Sequence, residues 1–237
     1  MGEKARRIDQ ILSSYGYCSR SEARAWVRQR RVTIDTGEAV DSPEQKHPVS
    51  RVRIDGEPVD APDGLLVLLH KPADYICSHD ANEGRTVYEL LPARWSRRNP
   101  PLTTIGRLDR DTTGVLLLTD LGDLVQRWTS PRHKVAKLYH VTVDAPLTED
   151  LIASFKSGQL RLSGEDKPCL PAVLEILDAH HAKLELTEGR YHQVKRMFAH
   201  HGYQVVQLHR SRFGNFDLDA LKPGQWKVLP LPNHVAQ

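Results

Sequence analysis

The stretch GRLDRDTTG concentrates charge at the mouth of a strand. It carries Arg107, Asp109, Arg110 and Asp111 between turn-forming neighbours, and the apolar run of residues 115–118 follows at once. A carboxylate in such a place can act as a nucleophile or a base, and a nearby cation keeps it ionised. The same residues can also form a solvated turn whose charges neutralise one another. The local sequence leaves both interpretations open.

Length and composition limit the classes of protein. The 237 residues are 39% hydrophobic and 27% charged, which is typical of a globular protein with a substantial core. No apolar run approaches membrane-spanning length and the first residues lack a signal peptide's apolar segment, so we expect a cytoplasmic protein without a membrane partner. Three well-separated cysteines without a CxxC argue against a disulfide framework or a cysteine-rich zinc site.

Residues 1–60 are predicted to form a separate unit of two helices and a hairpin. The first helix has apolar positions three and four residues apart, and the second is expected to run to about Arg31. Short strands are expected at residues 32–34 and 52–54. The segment DAPDG has the composition of a linker, so the second unit is expected to span residues 65–237.

Strands and helices interleave in the second unit. Strands are expected at residues 65–69, 115–119, 139–143, 172–177, 182–186 and 205–208, and helices at residues 121–128, 151–155 and 194–198. This order favours a mixed, largely antiparallel sheet flanked by helices. The fold class is therefore α+β rather than a doubly wound parallel fold.

Four arginines follow one another along the second predicted helix. Arg20, Arg24, Arg28 and Arg31 are spaced by four, four and three residues, which aligns them on one face. The net charge is only +3, so the placement of charge is more informative than its total. A phosphate backbone is the natural partner for such a row, although a solvated helix face has the same pattern. The compact helical unit with its trailing hairpin favours RNA.

The N-terminal unit resembles a known RNA-binding module. The segments RRIDQILSSYGYCSRSEARAWVRQRRVTID and VRIDGEPV are similar to the S4 module, which is named after a ribosomal small-subunit protein. One departure is Arg30, which stands where the family usually has glycine. The resemblance implies that this unit binds and positions RNA without doing chemistry.

The second unit resembles an enzyme family through four ordered motifs. LHKPADYICS, GRLDRDTTGVLLLTD, TSPRHKVAKLYHVTV and EGRYHQVKRMF are together similar to the pseudouridine synthases of the ribosomal small-subunit type. The match spans nearly the whole chain with the N-terminal unit included. Asp74 departs from the family, which usually has a glycine at this position.

The resemblance implies a catalytic set. Converting uridine to pseudouridine breaks the C1′–N1 bond and rejoins the base through C5, without a metal or redox cofactor. The family's catalytic aspartate corresponds to Asp109, its basic partner to Lys195 and the tyrosine against the uracil to Tyr139. Arg107 corresponds to the arginine that fills the space vacated by the uridine, which must leave its stack to be reached. Further substrate contacts are expected for Lys71, Arg190 and Arg196.

Each assignment has a structural alternative on local sequence alone. Asp109 is also compatible with a turn residue and Tyr139 with a core position of a strand. Lys195 and Arg196 are compatible with the solvated side of an amphipathic helix, and Lys71 with a loop cation. No acidic or cysteine partner accompanies the histidines near residue 200 at ligand spacing, so no metal site is expected.

The resemblance implies a function. The expected reaction is the isomerisation of one uridine of 16S ribosomal RNA, uridine 516, presented in a partly assembled small-subunit particle and acted on by a monomer. A second enzymatic possibility is hydrolysis of a glycosidic bond by Asp109 with Asp111 or Asp120. A third is a non-catalytic RNA-binding or ribosome-assembly factor.

Overall fold

The computed structural model describes residues 3–232. The strands are β1 (Arg6–Arg7), β2 (Val32–Ile34), β3 (Lys46–His47), β4 (Val52–Ile54), β5 (Glu57–Pro58), β6 (Leu66–Lys71), β7 (Thr103–Thr104), β8 (Thr113–Thr119), β9 (Lys137–Val143), β10 (Val173–Ile176), β11 (His181–Leu186), β12 (Val205–Phe213), β13 (Phe216–Asp217) and β14 (Trp226–Val228). The helices are α1 (Ile8–Ser14), α2 (Ala23–Arg28), α3 (Gly122–Thr129), α4 (Asp150–Lys156) and α5 (Gln193–His200). None of the helices described is long and apolar enough to cross a membrane.

The first two helices and a small sheet share one apolar core. Ile8, Ile11 and Leu12 are fully buried on α1, and Val27 packs beside them from α2. The antiparallel strands β2, β4 and β5 close the other side of this core. Spacings of three and four residues produce this packing because they place the side chains on one helical face.

Helix α2 is shorter than the sequence indicated. It ends at Arg28, and the Arg30 and Arg31 amides donate hydrogen bonds back to Val27 and Trp26. This is a Schellman ending, which requires a left-handed residue after the helix. Arg30 takes that position with φ 58°, so an arginine adopts the conformation for which the family uses glycine. The helix end is therefore preserved, at the cost of local strain.

A nine-stranded sheet organises the rest of the chain. Its order is β10-β11-β9-β12-β8-β6-β14, with β13 added to β12 and β7 to β8. Only the β8–β12 pairing is parallel; all the other strand pairs described are antiparallel. The predicted α+β class with a mixed, largely antiparallel sheet is confirmed. Strand β12 extends beyond the predicted residues 205–208, and β14 was not predicted.

The central strands are buried on both faces. In β6, Val67 and Leu69 pack into the larger core, whereas Leu66 and Leu68 face a second apolar cluster on the other side of the sheet. Strand β8 divides its side chains in the same way. Continuous apolar runs arise because alternate residues of a strand point to opposite faces and both faces are covered here. These two strands form the rigid support for the loop that joins them to the site.

The two cores are joined by a tightly bonded segment rather than a loose linker. Asp60 accepts hydrogen bonds from Arg94 (2.7 Å) and from the indole of Trp95 (2.6 Å). Arg98 is buried and donates to Asp120 at 2.7 Å. At the end of α1, a Cβ on Gly16 would lie 2.1 Å from the Arg94 carbonyl oxygen, so only glycine fits there. The N-terminal unit therefore docks against the larger one at a defined place.

Candidate active site

The GRLDRDTTG stretch forms a turn that leads into the buried strand β8. The Thr112 amide donates to the Asp109 carbonyl at 3.1 Å, which closes the turn. Gly114 then pairs with Arg210 of β12, and a Cβ on Gly114 would lie 2.1 Å from the Arg210 carbonyl oxygen. Glycine is required at this position because the two backbones approach so closely. The turn places the Asp109 side chain at the edge of a cavity.

Lys71 holds this turn from below. The side chain is fully buried, and its ammonium donates to three backbone carbonyl oxygens: those of Pro72 (3.0 Å), Arg110 (3.1 Å) and Thr112 (2.8 Å). Burial lowers the pKa of Lys71 to about 8. The expectation that Lys71 contacts RNA is therefore wrong, because its ammonium is enclosed by the loop that it supports.

The Asp109 carboxylate lies between two basic side chains of the segment around α5. His192 Nε2 is 3.3 Å from its Oδ1, and Lys195 Nζ is 3.7 Å from its Oδ2. Lys195 lies one turn along α5 from His192, so both side chains face the same way. The neighbouring cation favours the ionised carboxylate that a nucleophile or base requires.

Lys195 makes its closest contact with a second carboxylate. Its Nζ lies 2.6 Å and 2.7 Å from the two oxygens of Asp111. Burial raises the pKa of Asp111, but the hydrogen bond and charge of Lys195 outweigh this effect, so the pKa lies below its ordinary value. Asp111 thus anchors the lysine in place beside Asp109.

The cavity next to Asp109 has a volume of about 490 Å³. Tyr139 of β9 contributes to its wall and is buried, with 8% of its surface exposed. Arg107 also lines the cavity; its side chain is exposed and has no carboxylate partner among residues 3–232. The fold therefore brings Asp109, Tyr139 and Arg107 to one cavity, with Lys195 reaching it through Asp109.

Two cations that the sequence analysis missed also line the cavity. Arg210 is 2% exposed and donates through Nε and Nη2 to the Val115 carbonyl oxygen at 2.9 and 2.7 Å. Lys137 donates to the Val135 carbonyl oxygen at 2.8 Å, and burial followed by the charge of Arg210 lowers its pKa to about 8. Continued alternation past residue 208 was the available signal for Arg210.

Arg190 and Arg196 are occupied by contacts within the protein. Arg190 donates to the Lys167 and Pro168 carbonyl oxygens, at 2.7 and 2.5 Å. Arg196 donates to Glu165 at 3.0 Å, and to backbone carbonyls on both neighbouring loops. The expectation that these two arginines bind RNA is therefore corrected: their donors brace the turn before α5.

The arginine row of the N-terminal unit is only partly aligned. Arg20, Arg24 and Arg28 are exposed, and the nearest carboxylate contact of Arg24 is at 3.9 Å. Arg31 lies beyond the helix; it forms a two-point hydrogen bond with Asp55 and lies over the Trp26 ring at 3.6 Å. The expectation of four arginines on one helical face is corrected to three exposed arginines, because the helix ends before Arg31.

Asp74 preserves the shape of the loop after β6. It adopts φ 67°, in the region that glycine occupies freely, and its amide donates to the Arg110 carbonyl at 2.9 Å. The aspartate therefore reproduces the backbone conformation for which the family uses glycine. Elsewhere within residues 3–232, no three histidine, cysteine or acidic side chains are grouped so that they could hold a metal ion.

Comparison with known families decides what this site belongs to. A family model for RNA pseudouridylate synthase matches residues 65–200, and a model for the S4 domain matches residues 6–46. The chain belongs to the RNA pseudouridylate synthase family. The resemblance inferred from the motifs is thus confirmed, and the cavity beside Asp109 lies within the matched synthase region.

Relatives match over nearly the full length of the chain. Ribosomal small subunit pseudouridine synthase A of Escherichia coli strain K12 is 41% identical over 228 residues, covering 94% of this chain and 96% of that protein. Its namesake from Yersinia pestis is also 41% identical, covering 94% of both chains. A solved structure described as a pseudouridylate synthase has a TM-score of 0.66 and 37% identity, covering 94% of this synthase and 96% of the solved chain.

Proposed function

We propose that this synthase isomerises one uridine of 16S ribosomal RNA to pseudouridine, with Asp109 as the catalytic carboxylate. The observation that carries the proposal is the position of Asp109 at the cavity edge, within 3.3 Å of His192 and 3.7 Å of Lys195. The names of the full-length relatives support the small-subunit RNA as substrate. By resemblance, the target is uridine 516.

The residues would divide the work as follows. Asp109 acts on the uridine as nucleophile or base while the C1′–N1 bond breaks, and Lys195 keeps the carboxylate ionised. Tyr139 packs against the uracil, which turns and rejoins C1′ through C5; the hydrogen from C5 is replaced by one at N1, so mass is unchanged. Arg107 fills the gap left in the RNA when the uridine leaves its stack.

Hydrolysis by a carboxylate pair has less support than isomerisation. Asp120 is buried, accepts from Arg98 and from the Leu65 amide, and does not line the cavity beside Asp109. Asp111 is engaged through both oxygens by Lys195. Neither is free to serve as the second catalytic carboxylate in this arrangement.

The S4-like unit is proposed to supply affinity for the RNA backbone. Arg20, Arg24 and Arg28 are exposed on it, and non-specific phosphate contacts by arginine position a protein on RNA. We place this unit at residues 1–60 and the catalytic unit at residues 65–237. A monomer acting in the cytoplasm on a partly assembled small-subunit particle is the proposed context, because two contact surfaces suit a structured target.

Mapping pseudouridine in cellular RNA tests this proposal. RNA from cells with and without the gene is treated with carbodiimide and read by primer extension along 16S ribosomal RNA. A stop at uridine 516 that requires the gene is the expected result. A gene-dependent stop at another uridine would overturn the assigned target. Binding of the purified protein to 16S RNA without any product would instead identify a non-catalytic factor, and release of free uracil a hydrolase.

A further inference from the structure

Tyr191 stands out among the exposed apolar side chains. Of the large hydrophobic residues left exposed in the described part of the chain, it is the only aromatic one and the most exposed, at 69%. It lies at the rim of the cavity that contains Asp109. A tyrosine ring buries a large apolar area when it packs, so this ring leaves considerable surface available to a ligand.

One face of the ring is already covered. The Tyr191 and His192 rings are stacked, with centroids 3.9 Å apart and an interplanar angle of 17°. His192 in turn contacts Asp109 at 3.3 Å. The exposed surface is therefore mainly the opposite face of Tyr191. A continuous aromatic stack runs from the catalytic carboxylate to the surface of the protein.

The backbone beneath the ring is braced. Arg196 donates to the Tyr191 carbonyl oxygen at 3.0 Å, and the Arg190 amide donates to Gln193 at 2.9 Å. Arg190 itself is bonded to the Lys167 carbonyl at 2.7 Å. Two arginines thus fix the turn that presents an exposed ring. Holding the ring in advance lowers the entropic cost of binding a ligand to it.

We propose that the open face of Tyr191 binds the nucleobase adjacent to the target uridine. The inference rests on the proposed function, because it assumes that a uridine enters the cavity. When that uridine leaves its stack, its neighbour loses a stacking partner, and an aromatic side chain can replace it. Every nucleobase has a flat face, so the contact holds the RNA at the cavity without reading its sequence.

The test is a cycle between protein and RNA changes. The RNAs are 16S ribosomal RNA and two ligated versions in which the nucleotide before or after the target uridine is a reduced abasic residue. The proteins are the parent, Tyr191→Ala, Tyr191→Phe and, as a control far from the cavity lining, Leu177→Ala. Both Kd and the kcat and KM for pseudouridine formation are measured.

Tyr191→Ala should raise Kd and KM roughly 5- to 150-fold with kcat within about twofold, because one base–aromatic stack is removed. Tyr191→Phe and Leu177→Ala should behave as the parent. One of the abasic RNAs should weaken binding to the parent by a similar factor, yet weaken binding to Tyr191→Ala only slightly further.

Two results would overturn the proposal. If both abasic RNAs weaken binding to Tyr191→Ala as much as to the parent, no adjacent base contacts the ring. If Tyr191→Ala lowers kcat and leaves Kd unchanged, the ring acts through His192 and Asp109 instead. The Kd cycle needs no turnover, so a parent protein that forms no pseudouridine would refute the proposed function while the stacking result stands or falls separately.

Discussion

Replacing Lys71 with methionine tests how the loop of Asp109 is held. Methionine keeps most of the apolar stem but removes the ammonium that donates to Pro72, Arg110 and Thr112. We expect a loss of about 3 kcal/mol at pH 7, as when one partner of a buried charged network is removed. Turnover should fall as well, since the loop that positions Asp109 loses its support.

The size of this loss should depend on pH. Burial lowers the pKa of Lys71 from 10.5 to about 8 in the folded protein. Between these values the unfolded chain binds more protons at this position than the folded protein does, so the contribution of Lys71 to stability rises with pH. Applying this relation to the two pKa values gives a rise of about 2 kcal/mol between pH 7 and pH 9.5.

Urea unfolding at several pH values measures this effect. The difference in unfolding free energy between the parent and Lys71→Met should widen by about 2 kcal/mol from pH 7 to about pH 9.5. Lys156→Met is the control, because Lys156 is exposed on α4 and its ammonium remains in water. A difference that stays constant or narrows as the pH rises would refute the structural role assigned to Lys71.

Three further changes probe RNA binding, the vacated stack and backbone strain. Replacing Arg20, Arg24 and Arg28 with alanine should weaken RNA binding and reduce its salt dependence by a slope of roughly one for each phosphate that the protein no longer neutralises, and an unchanged slope in binding titrations would mean that they face only water. Arg107→Ala should slow single-turnover conversion of bound RNA by about tenfold or more because the opened stack is left unfilled, and a parental rate would exclude that role. Arg30→Gly should raise the unfolding free energy by up to about 1 kcal/mol in urea titrations, since glycine adopts φ 58° freely; a lower stability would contradict this.

Local patterns in the sequence predicted much of the fold. The apolar runs of β6 and β8 and the buried face of α5 were evident because each depends on a period within one element. Helix α2 was overextended because its Schellman ending uses an arginine where glycine normally marks the stop. Strand β14 was missed, since its three residues pair with β6 far away in the chain.

The roles of cations could not be read from the sequence. Lys71, Arg190 and Arg196 were assigned to RNA, yet each donates to acceptors within the protein that distant segments supply. Whether a cation is free depends on tertiary contacts, to which a linear motif gives no access. Arg107 and Lys195 are brought to Asp109 as the motifs indicated, because turn and helix geometry are local.

The most direct test of the account compares pseudouridine formation by Asp109→Asn with that of the parent in single turnover. Asparagine keeps the shape and removes the negative charge, so conversion of bound 16S RNA should fall by roughly a thousandfold or more, with binding and melting temperature near parental values. Asp111→Asn, which removes the other carboxylate at Lys195, should cost far less. A folded Asp109→Asn protein that forms pseudouridine at nearly the parental rate would contradict the central claim.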